Sequence, residues 1–365
     1  MASKSYRKSQ LIAFDNAAAG HDGVLSDPAG SIIIKPCKQS EIDFYESTSA
    51  HEEILPYIAG YKGRLSLGDT AQAAGAFALP GETSIDEPAK EDTATLPVVN
   101  HAWKPSGGGK IQTDLALVLD NIAAGFKKPN ILDIKLGARL WDDDAPEEKR
   151  VKLDKVAEET TSKSLGFRIA GMKTFQGNET TENKPIAAEG YKVFDKHYGR
   201  EFDAVTVHRA FEDFFLTQEG TRPIAPIRKV IRRFIRDLTG MVGVLEAEES
   251  RMYSASLLFV YEGDAHALRS AFTEEASLIA NRDVQKHHQV GNAKLVPSAA
   301  SATVEAPAEA DDEGSIEDER PAFPAIDNVK LIDFAHARWA PGKGSDENVL
   351  FGIRNVAQKL QDLVG

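Results

Sequence analysis

Cysteine is nearly absent from this sequence, with only Cys37 among 365 residues. A single cysteine excludes an internal disulfide and a metal site built from several thiolates, and it favours a reducing compartment. Long apolar runs are missing as well, since no stretch approaches the ~20 residues that span a bilayer. Residues 1–10 lack the apolar core of a secretory signal. We therefore expect neither a transmembrane segment nor export through a signal peptide.

Positive charge is also scarce, because 43 Lys and Arg residues face 56 Asp and Glu residues and the net charge is -13. This balance argues against direct binding of nucleic acid or of a membrane surface. The length accommodates one large domain or two smaller ones. Two stretches rich in alanine, proline and acidic residues, at about 69–97 and 297–320, predict a mobile insertion and a disordered acidic insertion.

The most informative stretch is residues 128–137, which read KPNILDIKLG. Asp133 and Lys135 interrupt an apolar run, and residues two apart in a strand point to the same face. Pro129 fixes the backbone where the strand begins, and Gly137 permits a turn or a close approach. The pattern therefore predicts a carboxylate beside an ammonium at the edge of a core, either as a site or as a structural ion pair.

Two other predicted strands end in charged residues. Residues 31–36 read SIIIKP, so Lys35 ends a β-branched strand and either reaches nucleotide phosphates or lies along the surface. Residues 329–336 read VKLIDFAH, and a strand ending in Asp-Phe is where kinases hold Mg²⁺. One carboxylate, Asp333, suffices because Mg²⁺ also takes nucleotide phosphates as ligands.

These motifs occur together with SLGFRIAGM at 164–172, HYGR at 197–200 and SASLL at 254–258. In this order they resemble the inositol polyphosphate kinases, and most closely the inositol polyphosphate multikinases. The resemblance implies an α+β, two-lobed, kinase-like fold with ATP in the cleft between the lobes. It implies a small strand-rich N-lobe at 1–122 and a larger C-lobe at 123–365.

The resemblance also implies a nucleotide site and a catalytic pair. Asp133 and Lys135 are the catalytic candidates, and Asp333 is the metal ligand. Asp133 has two alternative roles, as a general base for the attacking hydroxyl or as a ligand of the ATP ribose. The ATP-binding candidates are Lys35, Glu41 (which would orient Lys35), Asp120, Asn121 and Ile122 at the hinge, Asp133 and Asp333.

In the family, the segment after the central motif binds the inositol phosphate, which here corresponds to about 142–173. Its shortness resembles the multikinases and implies an open pocket. An ordinary solvated helix face also explains the charges at 149–155, and a salt bridge at a helix end also explains Arg200. The substrate-binding candidates are Lys38, Lys135, Lys149, Lys152, Lys155, Lys196, Arg200 and His336.

The implied activity is transfer of the γ-phosphoryl group of ATP to hydroxyls of inositol polyphosphates, with ATP and Mg²⁺ as cofactors. Two alternatives remain, namely an inositol hexakisphosphate kinase that makes pyrophosphates and a non-catalytic scaffold. Phosphoinositide head groups as further substrates, and protein partners that dock on the acidic insertions, are left open. Family resemblance leads us to expect the protein in the nucleus and the cytoplasm.

Overall fold

The computed structural model describes residues 11–14, 23–66, 113–177, 190–216, 223–293 and 323–365, with side chains described as far as residue 282 in the fifth range. The insertions expected at 69–97 and 297–320, and the N-terminal residues 1–10, lie outside these ranges. None of the described helices is long and apolar enough to cross a membrane.

A first antiparallel sheet forms the N-terminal part of the protein. Isoleucines and the apolar run before the hinge fill its centre, because β-branched residues pack well on a pleated surface. Between the third and fourth strands the chain forms helix α1 at Gln39–Ser47, followed by two short 3₁₀ turns at Thr48–Ala50 and Glu52–Tyr57. The strands are β1 (Ile12–Ala13), β2 (Leu25–Ser26), β3 (Ile32–Pro36), β4 (Tyr61–Ser66) and β5 (Leu115–Asp120), in the order β1-β2-β3-β5-β4.

A second antiparallel sheet lies in the C-terminal part, in the order β11-β10-β6-β7-β8. Its central strand, β6, carries the motif of the catalytic candidates and is buried along its length except at the half-buried Lys135. A two-stranded sheet joins β9 to β12. The strands are β6 (Pro129–Leu136), β7 (Phe167–Phe175), β8 (Tyr191–Phe194), β9 (Ser250–Met252), β10 (Ser256–Glu262), β11 (Asp327–Ile332) and β12 (Ala337–Trp339).

Helices complete the C-terminal part. In α5, apolar residues recur at helical spacing and are buried while the arginines between them stay accessible, so α5 is a core-packing helix. Asp346 caps α7 by accepting a hydrogen bond from the Val349 backbone N–H at 3.3 Å. The helices are α2 (Glu147–Glu158), α3 (Thr161–Leu165), α4 (His208–Phe215), α5 (Ala225–Ala247), α6 (Ala265–Ala293) and α7 (Glu347–Val364).

One hydrophobic cluster runs through both parts of the protein and links them. It includes Phe44 and Tyr45 of α1 and Phe334, just after β11. The ring centroids of Phe44 and Phe334 are 4.6 Å apart. Ile58 forms a parallel bridge with Leu331. This packing holds the ends of β3, β6 and β11 at the junction of the two lobes, and the predicted α+β, two-lobed fold is confirmed.

Candidate active site

Two of the predicted lysines, Lys35 of β3 and Lys135 of β6, both contact the carboxylate of Asp333, which directly follows β11. Oδ1 of Asp333 lies 2.7 Å from Nζ of Lys35, and its Oδ2 lies 2.7 Å from Nζ of Lys135. Asp333 has a φ of 68°, in the left-handed region, just after β11 ends. That conformation is rare for a residue other than glycine and often marks a functional position. The result is a lysine–aspartate–lysine bridge across the cleft.

Glu41 ties this bridge to helix α1. Its Oε1 accepts a hydrogen bond from Nζ of Lys35 at 2.7 Å and from the Phe334 backbone N–H at 3.2 Å. The Glu41 side chain is only 3 % exposed, so this carboxylate orients the lysine from inside the protein. The structure therefore places Glu41 beside Lys35, the position that the family resemblance implies for it.

Electrostatics keep the bridge charged. Burial by itself would raise the pKa of Asp333, but the charges and hydrogen bonds of Lys135 and Lys35 outweigh burial and hold that pKa far below its usual range. Burial would likewise lower the pKa of Lys35, yet Asp333 and Glu41 raise it well above its ordinary value. Asp333 therefore remains a carboxylate and Lys35 an ammonium group at any physiological pH.

Asp133 is buried beside the bridge, with 4 % of its surface exposed. Burial raises its pKa against the opposing charge of Lys135. The register between β6 and β7 shifts between Asp133 and Ile134, which forms a local bulge at this position. Among the described residues, Oδ1 of Asp133 has no hydrogen-bond partner. Buried carboxylate oxygens are normally paired, so the Asp133 carboxyl is a candidate for contact with a ligand.

Arg168 is a site residue that the sequence did not single out. It pairs in register with Lys135 across β6 and β7, and its charge interacts with Asp133 and with Arg200. Burial lowers the pKa of Arg168 to about 10. Nη1 of Arg168 donates to Oγ of Ser162 at 3.1 Å. The signal available in the sequence was an arginine within an apolar strand, directly after the turn at Gly166.

Three apolar side chains also face the cleft. Ile33 shares a face of β3 with Lys35, and it is half-buried like that lysine. Leu258 lies opposite Asp133 in the register of β10 with β6, and Ile332 lies opposite Ser256. Leu258 is the half-buried exception in an otherwise buried strand. Together they form an apolar surface on the strand faces that carry Lys35, Asp133 and Lys135, which periodicity alone could not separate from core.

The side chains of the predicted hinge are bonded within the protein. Asp120 forms an ion pair with Lys62, with 3.0 Å between Oδ2 and Nζ. Nδ2 of Asn121 donates to the Gly30 carbonyl at 2.7 Å, and Oδ1 accepts from the Ala123 N–H at 3.0 Å. These bonds engage the Asp120 and Asn121 side chains, so recognition of a base here would fall to the backbone.

A second cationic group lies next to the bridge. Nε2 of His336 is 3.4 Å from Nζ of Lys149, and Nδ1 of His336 contacts Oδ2 of Asp142. The charge of Lys38, which precedes α1 in the other lobe, acts on both Lys149 and His336. The structure thus brings together substrate candidates from three separate parts of the chain.

The remaining substrate candidates are more peripheral. Lys152 follows Lys149 by three residues on α2 and is exposed. Lys155 is 73 % exposed and pairs with Glu159 at 3.6 Å, away from the cluster around His336. Lys196 is exposed, and Arg200 ends a short 3₁₀ turn at Tyr198–Arg200, close enough for its charge to act on Arg168.

A metal would need a second source of ligands. Within the described ranges, no three His, Cys, Asp or Glu side chains group closely enough to bind a metal ion by themselves. Asp333 offers one carboxylate facing the cleft. A hard cation that keeps oxygen ligands from nucleotide phosphates fits such a donor set.

Two lobes around a lysine–aspartate–lysine bridge define a kinase-like architecture. Comparison with known proteins identifies the kinase family. A family model described as inositol polyphosphate kinase matches residues 116–361. The chain is 32% identical to an inositol polyphosphate multikinase of Saccharomyces cerevisiae, over 94% of this chain and 95% of that protein. It is 26% identical to the multikinase of Schizosaccharomyces pombe, over 95% and 96% of the two chains.

A solved structure agrees with these relatives. It is the inositol phosphate multikinase Ipk2 of Saccharomyces cerevisiae in complex with ADP and Mn²⁺, which is 27% identical to this chain with a TM-score of 0.57. The match covers 92% of this chain and 100% of that one. The chain belongs to the inositol polyphosphate kinase family.

Proposed function

We propose that this protein is an inositol polyphosphate multikinase, which transfers the γ-phosphoryl group of ATP to hydroxyls of inositol polyphosphates. The observation that carries the proposal is the bridge from Lys35 through Asp333 to Lys135, with further cations beside it. Relatives named as multikinases, aligned over nearly the whole chain, support it. A multikinase structure that holds ADP and Mn²⁺ supports the nucleotide and a divalent metal.

The cleft offers an apolar surface for the adenine of ATP at one end and charged groups for its phosphates at the other. The apolar surface of Ile33, Leu258 and Ile332 accommodates the adenine next to the hinge backbone. Lys35 and Asp333 lie at the phosphate end. Asp333 would hold Mg²⁺, which would supply positive charge to the nucleotide phosphates. The donor set favours such a hard cation, and we propose Mg²⁺ as the ion used.

Asp133 fits the ribose better than the attacking hydroxyl. It precedes Lys135 by two residues on β6, which moves it about 6–7 Å along the strand toward the hinge. The ribose would lie between adenine at the predicted hinge and phosphates at the bridge, which brings a ribose hydroxyl close to the Asp133 carboxyl. The general-base role remains the second candidate, because burial raises the pKa of this carboxyl.

Lys135 then carries the transfer step. Phosphoryl transfer is mostly positioning and charge stabilisation, so an ammonium beside the moving phosphoryl group is the main requirement. Lys135, on the central strand of the second sheet, supplies this ammonium group. Lys38, Lys149 and Arg168 provide donors for the phosphates of the inositol ring, and His336 lies beside Lys149. Arginine and lysine suit phosphate because both are cationic hydrogen-bond donors.

The deciding experiment is a turnover assay with ATP and Mg²⁺ against inositol 1,4,5-trisphosphate and inositol hexakisphosphate, with separation of products by chromatography. We expect stepwise conversion of the trisphosphate and little turnover of the hexakisphosphate. Turnover of the hexakisphosphate alone would indicate a pyrophosphate-forming enzyme. No turnover of either would favour the scaffold hypothesis.

Analogues of ATP separate the two roles of Asp133. If the Asp133 carboxyl binds a ribose hydroxyl, wild-type protein prefers ATP to its 2′-deoxy or 3′-deoxy analogue, and Asp133→Asn loses that preference. A general base predicts instead that Asp133→Asn lowers kcat equally for all three nucleotides. Circular dichroism of the variant checks that the fold is retained.

Three finer points belong to the same proposal. The metal is tested by titrating activity with Mg²⁺ and Mn²⁺ separately. Phosphoinositide head groups are tested as substrates in mixed micelles, because the cationic cluster near His336 recognises phosphates on either kind of molecule. Placement in the nucleus and the cytoplasm is tested by imaging a fluorescent fusion of the full chain.

A further inference from the structure

His336 is held between two groups of opposite charge. Its Nδ1 contacts Oδ2 of Asp142, and its Nε2 lies 3.4 Å from Nζ of Lys149. An ammonium can only donate hydrogen bonds, so Nε2 must accept from Lys149. The ring proton therefore resides on Nδ1, where it is donated to the carboxylate. The two neighbours together select one tautomer of a neutral imidazole.

The surroundings favour that neutral form. The side chains of His336 and Asp142 are 28 % and 14 % exposed. Burial lowers the pKa of His336, and the positive charge of Lys149 lowers it further, against the opposing effect of Asp142. Lys149 thus meets an uncharged acceptor rather than a carboxylate. Within the part of the chain that the structure describes, Lys149 forms no direct ion pair, and two of its three N–H donors stay available for phosphate oxygens.

The loop that carries Asp142 is braced by stacked side chains. The ring of Trp141 has the guanidinium of Arg139 at 3.8 Å and that of Arg150 at 4.9 Å from its centroid. Nε1 of Trp141 donates to Asp154 on α2 at 2.6 Å. Such cation–π contacts order an otherwise irregular segment. The contacts of Trp141 therefore hold the backbone of the neighbouring Asp142 in place.

The three consecutive aspartates of this loop have different surroundings. Asp143 is half exposed and forms ion pairs with Arg139 and Arg338. Asp144 is exposed. Asp142 is the most enclosed, and it contacts His336. In the sequence the three residues look like one solvated acidic run. In the structure they differ in their exposure and in the side chains that they contact.

We propose that Asp142 is a positioning residue for substrate binding, acting through His336. It fixes the imidazole as the Nδ1–H tautomer, which in turn holds the Lys149 ammonium beside Lys38 with its charge available to a phosphate group of the substrate. The inference rests on the proposed function, since it assigns the cluster to the inositol phosphate. It adds an acidic residue to a site whose ligand is an anion.

A double-mutant cycle tests whether Asp142 acts through His336. We expect Asp142→Ala to raise KM for inositol trisphosphate about tenfold and to leave KM for ATP within twofold. Asp144→Ala is the matched control and is expected to change neither constant. In a His336→Gln background, Asp142→Ala should raise KM no further, because coupled residues are not additive. Full additivity of the two substitutions would overturn the proposal.

A conservative variant guards against a simple loss of folding. Asp142→Asn keeps an acceptor oxygen for the Nδ1–H group, so we expect its KM to lie within threefold of wild type, with an unchanged melting temperature. If Asp142→Asn and Asp142→Ala were equally impaired while both folded normally, hydrogen-bond positioning of His336 would be wrong.

A spectroscopic arm needs no turnover. The ¹⁵N resonances of the His336 ring, assigned by their loss in His336→Gln, report which nitrogen carries the proton. Wild-type protein should show a protonated Nδ1 and an unprotonated Nε2, and Asp142→Ala should shift the population toward Nε2–H. A wild-type Nε2–H tautomer, or a doubly protonated ring at pH 7.5, would overturn the proposal even in an active kinase. Absence of inositol phosphate turnover would instead count against the proposed function, and the ring resonances would still decide the tautomer.

Discussion

The ammonium of Lys35 lies 2.7 Å from Oδ1 of Asp333, although 298 residues separate the two in the chain. Lys35 lies one residue before the end of β3 in the first sheet, and Asp333 follows β11 in the second. Their contact therefore crosses the cleft between the lobes. Both groups remain charged because each shifts the pKa of the other in the direction that favours the ion pair. Four substitutions test what this arrangement and its surroundings do.

Asp333→Asn removes the charge of the bridge and keeps its shape. We expect kcat to fall by at least about 10³-fold, because Lys35 and Lys135 lose their common anion and the proposed metal loses its carboxylate. Steady-state kinetics with saturating ATP and Mg²⁺ measure this. The melting temperature should stay within a few degrees of wild type. A kcat within tenfold of wild type would remove Asp333 from the proposed mechanism.

Glu41→Gln tests the residue that orients Lys35. The amide keeps an acceptor for Nζ but loses the negative charge, so we expect KM for ATP to rise about five- to twentyfold with a smaller loss in kcat. Asp43→Asn is the matched control, since it removes a carboxylate from the exposed face of the same helix. Equal kinetic effects of the two variants would mean that Glu41 acts only through the net charge of α1.

Asn121→Asp tests the hinge. Nδ2 of Asn121 donates to the Gly30 carbonyl, and a carboxylate in its place would bring two acceptors together in a site that is 8% exposed. We expect the free energy of unfolding to fall by about 1–3 kcal/mol, the usual cost of an unmatched buried polar group. Urea unfolding measures this change. The neighbouring Asp120→Asn breaks a half-exposed ion pair with Lys62, and its effect should stay below about 1 kcal/mol.

Asp327→Asn tests a buried carboxyl away from the bridge. Burial raises the pKa of Asp327 from 3.8 to about 6, although Nη1 of Arg233 donates to it at 3.0 Å. Because the folded-state pKa lies above the unfolded one, the stability that Asp327 contributes is full below pH ~4 and is lost as the pH rises through about 6. The loss is at most about 3 kcal/mol.

The Asn variant should remove that fall, because it keeps an acceptor for Arg233 and has no proton to lose. Thermal unfolding between pH 4 and pH 8 compares the two profiles, with the exposed Asp144→Asn as control. A profile for Asp327→Asn that still falls between pH 4 and pH 7 as in wild type would assign the fall to other groups.

Local patterns predicted the strands at the bridge well. Alternation of charge within an apolar run located β6, and three isoleucines located β3. By contrast, α6 was not predicted, because its polar composition resembles that of a loop and its contacts with β10 arise only in the folded protein. Arg168 was not singled out, since a lone arginine in a strand gives no sign of what lies across the sheet.

The sequence determined which side chains are available and where the strands that carry Lys35, Lys135 and Asp333 form, because strand patterns follow from spacing along the chain. It also determined the family, since the order of the motifs over nearly the whole length resembles the inositol polyphosphate kinases. Only the tertiary structure decided that Asp333 bridges two lysines, that Asp142 rather than its neighbours contacts His336, and that Asn121 bonds the turn at Gly30. These relations join residues far apart in the chain, and contact across sheets and lobes depends on packing that no local pattern encodes.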